Sequence, residues 1–155
     1  MTRTVFVNSG PVKYVQSISV GPHLLAADEP AEFGGADAGP NPYELLLAAL
    51  GACTSMTVRM YAERHNWPLK GVHATLTYGR VHLEDCAECD SDERLTDGIQ
   101  VELLLDGDLS AEQERKLMEI AEKCPVHRRL SSPIPIRTRL AQTRLHPESG
   151  SELNG

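Results

Sequence analysis

The residues of this chain whose types and spacing could do chemistry are its four cysteines. Cys53 and Cys124 stand far apart in sequence, and Cys86 and Cys89 form an H-x3-C-x2-C cluster with His82. A thiolate is a nucleophile towards peroxides and disulfides and a ligand for soft metals, so each cysteine has a chemical and a structural reading. Cys53 lies in an apolar run, where a cysteine taken alone is a small packed hydrophobe. Cys124 precedes Pro125, at the entrance of Val126-His127-Arg128-Arg129; helix-start amides and basic groups there favour a thiolate, and a capping or packing role is the alternative. His82, Cys86 and Cys89 offer three of the four ligands of a zinc site, with Asp85, Asp90 or a partner chain as the fourth. The same residues also read as a redox-active Cys86/Cys89 pair or as ordinary thiols in a solvated acidic loop.

Several elements must position these groups. Thr4 to Val7 and Val12 to Val20 read as strands around the turn Asn8-Ser9-Gly10-Pro11, and His23 to Ala27 as a third strand. Asp28 to Pro40, rich in Gly, Ala, Pro and acids, reads as a connecting loop. Asn41, Pro42 and Glu44 then give a complete helix start: a cap, a proline at the first helical position and a carboxylate three residues after the cap. From Leu45 to Tyr61 apolar residues occupy nearly every side, which predicts a helix buried on most of its surface, with Gly51 marking a helix crossing or a subunit contact. Pro68 and Gly71 mark its end. Val72 to Val81 and Ile99 to Leu105 read as an antiparallel strand pair. Ser110 caps a second helix, with Gln113 completing a capping box and Leu117, Ile120 and Ala121 forming its apolar stripe. Pro125 redirects the chain, Ile134 to Leu140 reads as a last strand, and Gln142 to Gly155 as a disordered tail after a single domain of residues 1–141.

Two segments on these elements carry a family resemblance. GGADAGPNPYELLLAALGACTSMTVRMY, together with AEKCPVHRRL later in the chain, resembles the OsmC/Ohr family, in particular its branch with the Cys-Pro-Val-His-Arg sequence. The likeness runs from about Val12 to Leu140. It implies an α+β fold with antiparallel sheets around a long central buried helix, in an intertwined homodimer with active sites at the subunit interface. It also implies that Cys53 is the peroxidatic nucleophile and Cys124 the thiol that resolves it, with an organic hydroperoxide as substrate, an external thiol as reductant and no bound cofactor. The sequence departs from the hydroperoxide-reductase branch at two points. No arginine occurs between Arg3 and Arg59, which leaves Arg59, His127 and Arg128 as substitutes for an activating cation. Tyr43 stands ten residues before Cys53, where that branch has its active-site glutamate. Glu44 is nine before and projects roughly 180° away on a straight helix, which makes it a capping residue first and a supporting catalytic candidate second.

Bulk composition narrows the classes. A chain of 155 residues buries a real core without disulfides, and 15 basic against 22 acidic residues give a net charge of -7. Such a balance argues against nucleic acid and against acidic membranes as partners. The uninterrupted apolar runs fall short of a membrane span, and MTRTVFVNSG has no secretory apolar region, so a soluble cytoplasmic protein is the expectation. In a reducing compartment distant cysteines are more often catalytic or metal-binding than structural. The competing function is a non-enzymatic dimer on the same fold, a redox sensor or a binder of small apolar ligands.

Overall fold

The computed structural model describes residues 4–82 and 95–141, with the side chains of residues 80–82, 95 and 96 excepted. The chain divides into two compact units, one of Met1–Glu44 with Ile136–Gly155 and one of Leu45–Pro135.

In the first unit, β1 (Phe6–Ser9), β2 (Gln16–Val20) and β3 (His23–Ala27) form an antiparallel sheet in the order β1-β2-β3. β2 and β3 join through Gly21-Pro22, with Val20 paired to His23 and Gly21 at φ 56, the left-handed first position that a tight hairpin turn demands. The loop that follows is ordered by Asp28, 2% exposed, whose carboxylate accepts from the backbone N–H of Glu29 at 2.9 Å, Ala36 at 2.9 Å and Ala38 at 3.2 Å. Three donors on one carboxylate satisfy backbone groups that this irregular segment would otherwise leave unpaired.

The start of α1 (Pro42–Arg64) is the capping box read from the sequence: the Glu44 N–H donates to Asn41 Oδ1 at 3.0 Å, and the Asn41 N–H donates to the Glu44 carboxylate at 2.7 Å. In the second unit α1 is the central element. β4 (Leu69–His82) and β5 (Leu95–Gly107) form an antiparallel ribbon whose register runs from Leu69↔Gly107 to His82↔Leu95. Alternation along the ribbon turns Val72, Leu103 and Leu105 towards the core and leaves His73, Glu102 and Leu104 exposed. α2 (Ala111–Ala121) closes the core, so that Val58 and Ala62 of α1 meet Leu117 and Ala121 of α2. Its own start is the Ser110/Gln113 capping box. A short helix, α3 (Pro125–Leu130), follows at once.

Three expectations change. Gly51 marks no helix crossing within the chain: a Cβ there would meet Leu76 Cδ1 of β4 at 2.7 Å, so the glycine admits a strand side chain. α1 buries one face, through Leu50, Gly51, Thr54, Val58 and Ala62, and leaves Met56 and Met60 exposed in the single chain. By length and composition α1 could cross a membrane, since one 18-residue stretch of it has a mean hydropathy of 1.4. Its buried face nevertheless packs on protein. Ile134 to Leu140 forms no strand: Pro133 and Pro135 remove two backbone donors, no described strand lies beside it, and Ile136 and Leu140 are 85% and 96% exposed.

Candidate functional site: a thiol pair between α1 and α3

Two turns of helix bring Cys53 and Cys124 together. Thr54, one residue after Cys53 and 3% exposed, sits on the buried face of α1. Cys124 is the N-cap of α3, held there because Pro125 fixes the first helical position and has no N–H to satisfy. The Thr54 hydroxyl donates to Cys124 Sγ at 3.5 Å, and the His127 backbone N–H donates to the same sulfur at 3.3 Å. Cys53 and Cys124 are both free thiols, with side chains in reach of each other.

Their electrostatics differ in sign. Burial pushes the Cys53 thiol up, and the neighbouring Cys124 sulfur adds to that; the Val126 backbone N–H and Thr57 work against it without reversing it. The Thr57 hydroxyl also donates to the Cys53 carbonyl at 2.7 Å. Cys124 suffers burial too, but the Thr54 hydroxyl, the His127 N–H, the Cys53 thiol and the Val126 N–H outweigh it and hold Cys124 below the ordinary thiol value. Cys53 is half-buried and Cys124 fully buried. Thr54 and His127, the two residues that donate to Cys124, line a cavity of about 210 Å³ together with Ile99, Val101, Leu103, Met118 and Glu122, and neither cysteine lines it. A larger open groove of about 860 Å³ beside Tyr61, Trp67 and Gln113 contains neither cysteine.

The other candidates fall elsewhere. Glu44 is exposed and committed to the Asn41 cap. His127 reaches Cys124 through its backbone rather than its ring. Arg128 is exposed and lines a depression with Pro125, Arg129 and Ser132, and Arg59 donates to the Lys70 carbonyl at 3.1 Å, tying α1 to β4. The backbone of His82 ends β4, while its side chain and the whole of Cys86 and Cys89 lie outside the described residues. Among the described residues no cluster of three His, Cys, Asp or Glu could hold a metal. Sequence reasoning missed Thr54, although a hydroxyl on the inner face of a buried helix must find a partner, and that was the available signal.

An α+β chain with two free thiols brought together by its central helix and a Cys-Pro turn defines the class. Residues 34–139 match the family described as OsmC-like protein, and the chain belongs to that family. No curated protein matches it at a significant level. Among solved structures, an OsmC-like protein from Mycoplasma pneumoniae is 16% identical, with a TM-score of 0.66 over 84% of this chain and 88% of that one. An organic hydroperoxide resistance protein OsmC from Legionella pneumophila is 20% identical, with a TM-score of 0.60 over 84% and 89%. The organic hydroperoxide resistance protein OhrB of Bacillus subtilis is 21% identical, with a TM-score of 0.56 over 83% and 90%. These likenesses establish the OsmC-like fold.

Proposed function

We propose that this protein is a thiol-dependent peroxidase that reduces organic hydroperoxides, with Cys53 as nucleophile and Cys124 as resolving thiol. The observation that carries the reading is the meeting of the half-buried Cys53 with the buried Cys124 between α1 and α3. Cys53 attacks the outer peroxide oxygen and becomes a sulfenic acid, Cys124 condenses with it to a disulfide, and an external thiol reduces the disulfide. The names of the Legionella and Bacillus proteins, both hydroperoxide resistance proteins, favour the same substrate class. The reading extends to a cytoplasmic homodimer with residues 1–141 as one functional domain. It requires no cofactor, and zinc at His82, Cys86 and Cys89 would be structural; metal analysis of the purified protein decides that point.

The second reading, a redox sensor or apolar-ligand binder, is favoured by Arg59 and Arg128, neither of which is engaged with the thiol pair. Stopped-flow mixing with an organic hydroperoxide separates the two. Rapid consumption of one equivalent per thiol pair supports the enzyme; slow oxidation that is indifferent to the peroxide's organic group supports the sensor.

A further inference from the structure

The two thiols divide what a peroxide-reducing centre needs, with access on one and charge stabilisation on the other. Cys53 is the more open of the pair and has the Val126 N–H and Thr57 beside it, yet more hydrogen-bond donors gather on Cys124, which is 0% exposed. Thr54 Oγ1 and the His127 N–H both point at its sulfur. A purely resolving thiol has no need of them, because resolution asks only for a second sulfur within reach of the sulfenic acid. Arg59 is spent on the Lys70 carbonyl, so hydroxyls, backbone amides and the partner sulfur are what acts on the pair among the described residues. We infer that Cys124 is the proton acceptor that activates Cys53, and that Thr54 is the positioning residue that keeps it ready, an inference that rests on the peroxidase reading of the same pair.

The protons and electrons balance. At rest Cys53 keeps its proton and shares it with the Cys124 thiolate. As the Cys53 sulfur bonds to the outer peroxide oxygen, that proton passes to Cys124, the O–O bond breaks, and Cys53 becomes a sulfenic acid. The departing alkoxide takes the proton from Cys124 and leaves as the alcohol. Cys124, again a thiolate, displaces hydroxide from the Cys53 sulfur; the disulfide closes and the hydroxide takes a proton from solvent. One peroxide gains the two electrons that the two sulfurs lose.

Because the pair loses its first proton as a unit, the reactive arrangement has the same proton count as the resting one, and its share stops growing with pH once that proton has gone. The reactivity of Cys53 should therefore level off below the ordinary thiol value of about 8.5. The test follows Cys53 by peptide mass spectrometry across pH 5 to 10, alkylated with iodoacetamide in one series and oxidised with one equivalent of cumene hydroperoxide in the other. In Cys124→Ser, Cys53 reactivity should fall at pH 7, climb about tenfold per pH unit as for a lone thiol below its own value, and level off only above the ordinary value of about 8.5, because burial still pushes that thiol up. Thr54→Val, nearly the same volume, should move the plateau to higher pH and lower the rate at pH 7 about tenfold, for a shift of about one unit. Thr54→Ser should restore it. A Cys124→Ser or Thr54→Val protein with the wild-type pH profile overturns the inference, as does rapid oxidation of Cys124 in Cys53→Ser. Wild-type alkylation that follows the expected profile without any peroxide reduction would defeat the peroxidase reading alone and leave the proton transfer standing.

Discussion

At the residue scale the two cysteines differ in what their loss should do. Cys53→Ser should abolish peroxide reduction, since a serine hydroxyl is too weakly acidic to replace a thiolate. In Cys124→Ser the oxidation of Cys53 should stop at the sulfenic acid and proceed to the sulfinic form under excess peroxide, a gain of two oxygen atoms that intact-mass analysis resolves. Full activity in Cys53→Ser would remove the nucleophile from the account. The candidacy of each cysteine was legible from the motifs around it, but their encounter was not. Thr54 and Cys124 are 70 positions apart, and no local spacing announces that contact. Nor could sequence show which sulfur collects the donors: the His127 amide points at Cys124 only because α3 begins there, while the side chains of Arg128 and Glu44, prominent as charges in the sequence, are used elsewhere.

At the scale of elements, the loop after β3 depends on one carboxylate. Burial raises the Asp28 carboxyl, but the N–H groups of Ala36, Ala38 and Glu29 outweigh it and hold it below the ordinary carboxylate value. A carboxyl depressed in the folded state stabilises it fully above the unfolded value of about 3.9, and that contribution disappears as pH falls through the folded value. Amide hydrogen exchange at Ala36 and Ala38 should therefore be slow at pH 7 and fast in Asp28→Ala, which leaves both N–H groups without their acceptor. Equal protection in both proteins would mean that the loop is held by other contacts. Helix starts were the most legible elements, because the Asn41/Glu44 and Ser110/Gln113 boxes are closed within four residues. Ile134 to Leu140 was misread because its apolar pattern fits a strand, whereas a strand exists only with a neighbour to pair with. Gly51 was placed correctly as a close approach, but within the chain its neighbour is a strand rather than a helix; the Leu76 side chain that fills its space is 25 residues further along the chain.

At the scale of the molecule, the single chain leaves much apolar surface uncovered. Leu24, Phe33, Ile136 and Leu140 of the first unit and Met56, Met60 and Leu104 of the second are all more than half exposed. Apolar exposure on this scale marks surfaces that partners cover, and a second copy of the chain is the partner proposed here. Sedimentation at micromolar concentration should show a stable dimer, and an ideal monomer would contradict the proposal. The α+β class could be read from the alternation of β4 and β5 and the caps of α1 and α2, while the assembly could not, because composition does not say which apolar face meets which. The central claim remains the pairing of Cys53 with Cys124, and it is tested most directly by non-reducing peptide mapping of the wild-type protein after one equivalent of organic hydroperoxide. A single Cys53–Cys124 disulfide is the predicted result; a Cys86–Cys89 disulfide with Cys53 and Cys124 still reduced would contradict it.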